Sequence, residues 1–185
     1  MKLSQLPNAI SIVRMFLVVP VVWSLLQLEF GVALVWIAVA GFSDGLDGFL
    51  AKHYGWESRL GSILDPLADK LLLVCSFITL TWLGLVPLWL LFAVLVRDLL
   101  IVTGGVVFHY TLGRFEMEPS RVSKLNTVMQ IVFVLAVVFY HGDFALTPWI
   151  IDALAYIVLA TTVLSGLDYI LVWGKRAYKI MQKKN

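Results

Sequence analysis

The chain has 185 residues, of which 61% are hydrophobic, 13% aromatic and only 14% charged, with a mean hydropathy of +0.92 and a formal net charge of +2. Water-soluble domains carry about 25% charged residues, so this composition excludes a soluble globular enzyme and points to one integral membrane bundle. A lone cysteine, Cys75, excludes an intrachain disulfide.

A membrane-spanning helix needs about 20 apolar residues. Six stretches qualify, near 9–28, 32–52, 61–82, 86–109, 122–141 and 148–173, within a single membrane domain over 1–185. Turn signals separate them: Glu29-Phe30-Gly31, Gly84 with Pro87, Gly113 with Pro119, and Gly142 to Pro148. The N-terminal MKLSQLPNAISIVRM lacks the pattern of a cleaved signal peptide, so the first segment is expected to be retained. The expected fold is all-α, with six transmembrane helices.

The basic residues orient the bundle. Lys2 and Arg14 lie at the N-terminal end, and Lys52, Arg59 and Lys70 flank the 2–3 connection. Arg114, Arg121 and Lys124 flank the 4–5 connection, and Lys175, Arg176, Lys179, Lys183 and Lys184 close the chain. These thirteen of the fourteen Lys and Arg residues fall at one face, and the opposite connections contain none. By the positive-inside rule both termini and the 2–3 loop are expected on the cytoplasmic side, or the matrix side in an organelle. The basic tail suits anionic lipid headgroups at about 1 kcal/mol per charge.

Against this background segments 2 and 3 hold four aspartates. Asp44, Asp47, Gly48 and Ala51 follow i, i+3, i+4, i+7, and Gly61, Asp65 and Asp69 follow i, i+4, i+8. Each set forms one helical stripe, and a short loop makes the two helices antiparallel neighbours. The stripes are expected to face one another in a polar cavity at the cytoplasmic end. Four adjacent carboxylates disfavour one another's ionisation, so some are protonated or cations neutralise them. An all-oxygen set suits a pair of Mg²⁺ or Mn²⁺ ions, the arrangement that clamps phosphates in two-metal sites. Gly48 and Gly61 would let a pyrophosphate approach the backbone. An ion pathway is the other reading of intramembrane carboxylates, and a catalytically silent scaffold a third.

The spacing Asp44, Asp47-Gly48, Ala51-Lys52, Gly61, Asp65, Asp69 resembles the signature D-x2-D-G-x2-A-R-x8-G-x3-D-x3-D of the CDP-alcohol phosphatidyltransferases, with Lys52 where that family usually has arginine. Lysine keeps the charge but not the bidentate geometry. LPNAISIVRM looks like the family's first span. LDPLADK, VRDLLI and SKLNTVMQ look most like the cardiolipin synthases of the eukaryotic type. The resemblance covers roughly residues 5–135.

Several expectations rest on this resemblance. It implies two divalent metals on Asp44, Asp47, Asp65 and Asp69, with Asp69 as general base. Gly48, Ala51, Lys52 and Gly61 would meet the CDP-diacylglycerol donor, and Arg97, Lys124 and Arg121 the acceptor. It further implies a homodimer in the bilayer, with no nucleic-acid partner. The reaction would release CMP, the acceptor being phosphatidylglycerol or, in the related phosphatidylglycerophosphate synthases, glycerol 3-phosphate.

The remaining polar residues have plainer readings. Arg97 could pair with another span, although Asp98 projects about 100° away on a helix. Arg121 and Lys124 also fit as interfacial topology charges, Lys70 as a counter-ion and Asn8 as a helix cap. Pro66 is expected to open the first turn of segment 3. His53, His109 and His141 have no metal-ligand spacing and read as interfacial or structural. The seven tryptophans read as membrane anchors or packing, and Cys75 as a small buried hydrophobe.

Overall fold

The computed structural model describes residues 6–56, 61–112, 120–142 and 146–184; within these, the side chains of 6–7, 51–52, 62–63, 105–112 and 173–184 are outside the description. Six helices run along the described residues: α1 Leu6–Leu26, α2 Phe30–Tyr54, α3 Gly61–Trp82, α4 Leu88–Leu112, α5 Arg121–His141 and α6 Pro148–Lys184. No strand occurs among the described residues. Four helical stretches are long and apolar enough to cross a membrane: Asn8–Leu26, Phe30–Leu50, Arg121–His141 and Pro148–Val172. α3, with Asp65, Asp69 and Lys70 in its first half, is not among them.

The helix ends have local causes. Leu28 takes a left-handed conformation (φ 61°); its N–H donates to the Leu25 carbonyl at 3.0 Å, and that of Glu29 to Ser24 at 2.9 Å. Gly84 (φ 75°) ends α3 in the same way, its N–H reaching Thr81 at 3.0 Å while that of Leu85 reaches Leu80 at 2.9 Å. Both are Schellman closures, which satisfy carbonyls that the last turn leaves open. Ser120 starts α5 as an N-cap, its hydroxyl accepting from the Ser123 N–H at 3.2 Å.

Three expectations about the helices change. α3 continues through Pro66 as unbroken helix, so the local opening expected there does not occur. Asn8 lies inside α1 and is not its cap. The basic tail is not a separate segment: the α6 backbone continues to Lys184, because Lys, Arg, Ala, Met and Gln are good helix formers. The Gly113 to Pro119 turn, Arg59, Arg114 and Lys2 lie outside the described residues.

The chain divides into two compact units. The first comprises 1–86 with 134–147, and in it α1 packs against both α2 and α3. Val21, Leu25, Ala33, Ala40, Ala68, Phe77 and Leu80 are fully buried there. Ala33 and Ala40, seven apart on α2, bring backbones close, as small residues do between membrane helices. The second unit comprises 87–133 with 148–185, and in it α4 packs against α6. Its buried seam runs through Leu90, Val94 and Arg97 on α4 and through Val158, Thr162 and Ser165 on α6, both spaced i, i+4, i+7.

The outward faces are apolar. Phe16, Val19 and Trp23 form one exposed stripe on α1, and Phe42 and Phe49 another on α2. In water such faces would be an aggregation liability; in a bilayer they are the lipid contact. Trp23 and Trp82 are exposed at the far ends of α1 and α3 from the aspartates, as interfacial anchors are.

Candidate active site

The site lies in the first unit, where the last half of α2 and the first turns of α3 meet α1. Both aspartate stripes face inward, and what joins them is α1. Arg14 places its guanidinium among them. Its Nη1 donates to Asp44 and, at 2.6 Å, to Asp69, while Nη2 donates to Asp47. Ser11, one turn earlier on α1, donates to Asp65 and sits 3.5 Å from Asp47. All four aspartates are thus gathered on two side chains of one helix. Burying a charge this deeply requires partners, and here each sign supplies them for the other.

The cluster is graded in depth. Asp47 and Arg14 are sealed, with side chains 2% and 1% exposed, while Asp44 and Asp69 are 47% and 51% exposed. A cavity of about 460 Å³ opens beside this rim, lined by Asp44, Gly45, Gly48, Phe49 and His53. A Cβ placed on Gly45 or Gly48 would meet nothing within 4 Å. No neighbouring side chain therefore requires glycine at either position; what the glycines keep clear is the groove.

The carboxylates fit a divalent-metal pair in chemistry and in charge. They are oxygen donors, they outnumber the single guanidinium among them by four to one, and they border open space. As the side chains stand, no three His, Cys, Asp or Glu among the described residues are arranged to hold one ion; the guanidinium lies where their oxygens converge.

The other expected site residues are placed as follows. Gly61 is buried at the first turn of α3. The backbone of Ala51 and Lys52 is helical in α2, and their side chains lie outside the description. Arg97 is buried in the second unit. Its Nη1 donates to Asp98 at 2.9 Å, its Nε to the Ser165 hydroxyl at 3.0 Å, and its Nη2 to Ser123 and Ser165, each at 2.5 Å. The expectation that Asp98 points away from Arg97 is corrected: a long, flexible side chain spans the angle between adjacent residues. Arg121 and Lys124 are exposed on the first turn of α5. Deeper in this unit Asn126 accepts from Thr161 and Thr162, each at 2.9 Å.

Sequence reasoning missed two residues of the cluster. Arg14 reads as a topology charge, yet it is the centre of the cluster. Ser11 went unnoticed. Asn8, Ser11 and Arg14 recur every third residue in the first half of a helix whose only other polar residue is Ser24, which is the signal the sequence offers. His53 lines the groove, stacked on Phe49 with centroids 5.3 Å apart. His141 does behave structurally, its Nδ1 lying 2.9 Å from the Val137 carbonyl.

The comparisons with known proteins follow the same residues. The family model described as CDP-alcohol phosphatidyltransferase matches residues 4–173. A protein of Rattus norvegicus named cardiolipin synthase (CMP-forming) is 34% identical over 147 residues, covering 71% of this chain and 49% of its own length. A chloroplastic CDP-diacylglycerol–glycerol-3-phosphate 3-phosphatidyltransferase 1 of Oryza sativa is 36% identical, covering 89% of this chain and 56% of its own. A CDP-diacylglycerol–glycerol-3-phosphate 3-phosphatidyltransferase of Aquifex aeolicus is 29% identical, covering 95% and 99%. The chain thus spans about half the length of the first two and nearly all of the third. With the family model running through both acidic stripes and the helix that joins them, the chain belongs to the CDP-alcohol phosphatidyltransferase family.

Proposed function

We propose that the chain transfers a phosphatidyl group from CDP-diacylglycerol to the hydroxyl of phosphatidylglycerol, forming cardiolipin and releasing CMP. One observation carries the reading: four carboxylates from two helices converge at the edge of a groove that two glycines keep clear.

Asp44, Asp47, Asp65 and Asp69 would hold two divalent cations, Mg²⁺ or Mn²⁺. When bound, these would screen the diphosphate and stabilise charge on the attacked phosphorus and the departing CMP. The chain's own groups supply the rest. Asp69, half-exposed at the rim, would take the proton of the acceptor hydroxyl. The acceptor oxygen then forms the new P–O bond as the bond between that phosphorus and CMP breaks. Gly48 leaves room for the diphosphate, and Gly61, Ala51 and Lys52 would complete the donor site. Buried Asp47 would fix the floor, since its neighbours restrict its motion. Arg97, with Arg121 and Lys124, would meet the acceptor's phosphate, arginine being suited to two-point contact with it.

The full bundle would have six spans, both termini and the site on the cytoplasmic or matrix side, and would act as a homodimer within the bilayer. The charge asymmetry of the connections supports this topology.

A second acceptor, glycerol 3-phosphate, is favoured by the names of the Oryza and Aquifex relatives. The aspartates serve the shared donor and do not separate the two. CMP release decides between them, measured on purified protein with CDP-diacylglycerol, Mg²⁺ or Mn²⁺, and one acceptor at a time. Release with phosphatidylglycerol alone is expected. Release with glycerol 3-phosphate alone would install the second reading. No release with any alcohol, alongside metal flux into vesicles, would replace both with a transporter.

A further inference from the structure

The position of Arg14 has a consequence for how the site takes up its cations. The side chain is 1% exposed and reaches three carboxylates on two other helices. Its Nε–H is nevertheless buried with no partner among the described residues. A guanidinium has five N–H donors, and one left unpaired in a dry site is unfavourable. The charges are also unbalanced, with four carboxylates around one cation. Arg14 therefore holds the cluster together without fully neutralising it.

A divalent ion would need the same oxygens. Asp44 Oδ1, Asp47 Oδ2 and Asp69 Oδ1 are the atoms the guanidinium engages. Two divalent cations and a guanidinium within a few ångströms would repel one another strongly, because buried charges are poorly screened. We propose that Arg14 is a resident counter-ion which divalent cations displace: it bridges the α2 and α3 acidic stripes in the metal-free protein and gives up those carboxylates when metal enters. Arg14 is thus a positioning residue, keeping the carboxylates gathered until the metal takes over. The inference deepens the metal-dependent reading above and rests on its assignment of the four aspartates.

Competition of this kind reduces apparent metal affinity by the fraction of protein whose carboxylates are free. The test uses the full chain in lipid nanodiscs, comparing wild type, Arg14→Gln and Arg14→Lys. Two quantities are read without any substrate: Mn²⁺ affinity from the paramagnetic resonance of free Mn²⁺, and the thermal midpoint in chelator and in saturating Mn²⁺. Arg14→Gln is expected to bind Mn²⁺ at least about tenfold more tightly than wild type. Its midpoint should fall below wild type in chelator and meet it in Mn²⁺. Arg14→Lys, which keeps the charge but not the three-way bridge, should bind with intermediate affinity. Unchanged or weaker binding by Arg14→Gln, with the same midpoint loss in both conditions, would make Arg14 a permanent strut and overturn the proposal. Should Arg14→Gln not fold in chelator, Arg14→Lys decides alone: tighter binding upholds displacement, equal or weaker binding overturns it. If the wild-type chain binds neither Mn²⁺ nor Mg²⁺, the metal-dependent reading fails too. If it binds metal and only the variants' order is wrong, displacement alone fails.

Discussion

Asp69 and Asp47 have the same chemistry and opposite surroundings. Asp69 lies half-exposed at the rim, while Asp47 is sealed. Asp69→Asn keeps the size and one oxygen but removes the proposed base, so CMP release should fall roughly 100-fold or more while donor binding partly survives. Near-normal turnover in that variant would end the assignment. Gly48 separates stability from function in the opposite sense. A methyl there meets no protein atom, and alanine is favoured over glycine inside a helix by roughly 0.5–1 kcal/mol. Gly48→Ala should therefore raise the thermal midpoint slightly and raise the KM for CDP-diacylglycerol. A lowered midpoint with unchanged KM would show that the glycine serves packing. The aspartates were legible in the sequence because carboxylates stand out in apolar helices and their spacing fits a single face. Arg14 was not, because the one-sided placement of cations already accounted for it, and nothing in a topology rule says which cation turns inward.

At the scale of elements, α4 and α6 of the second unit are locked by a tyrosine against a glycine. The Tyr169 hydroxyl donates to the Ile101 carbonyl at 3.2 Å, and a Cβ built on Gly104 would lie 2.6 Å from that oxygen and 2.8 Å from Cε1 of the ring. Gly104→Ala must push the ring aside and lose the hydrogen bond, at a cost of about 1–3 kcal/mol from overpacking. Tyr169→Phe removes only the bond and should cost about 1 kcal/mol. Denaturation of the two variants in one detergent checks the order; equal losses would mean that the ring yields freely. Helix existence was legible from runs of apolar residues. The reach of α6 was not, because the apolar run stops near residue 173 whereas Lys, Arg and Gln continue a helix readily. The Arg97–Asp98 pair was hidden for a related reason: helical angle fixes where side chains leave the backbone, not where a six-atom side chain ends.

For the whole molecule, the six expected segments correspond to the six helices, and among the described residues four stretches are apolar enough to span alone. α3 carries Asp65, Asp69 and Lys70 in its first half, yet its aspartates face α1. A helix of that kind depends on its neighbours to enter the hydrocarbon, since lone charges there are costly. Six crossings, as proposed, would put both ends of the chain on one face. In a Cys75→Ala background, single cysteines at positions 2 and 184 should label from the same side of oriented vesicles, and labelling from opposite sides would require an odd number of crossings.

The helix that carries Arg14 also precedes in the chain both helices that carry the aspartates. During synthesis α1 emerges first, then α2 with Asp44 and Asp47, then α3 with Asp65 and Asp69. Each acidic segment therefore reaches the bilayer after a cationic and hydroxyl-bearing partner is already made. Chain order doubles as an order of neutralisation, and moving α1 to the other end would leave α2 and α3 to insert as two acidic helices with only each other for company.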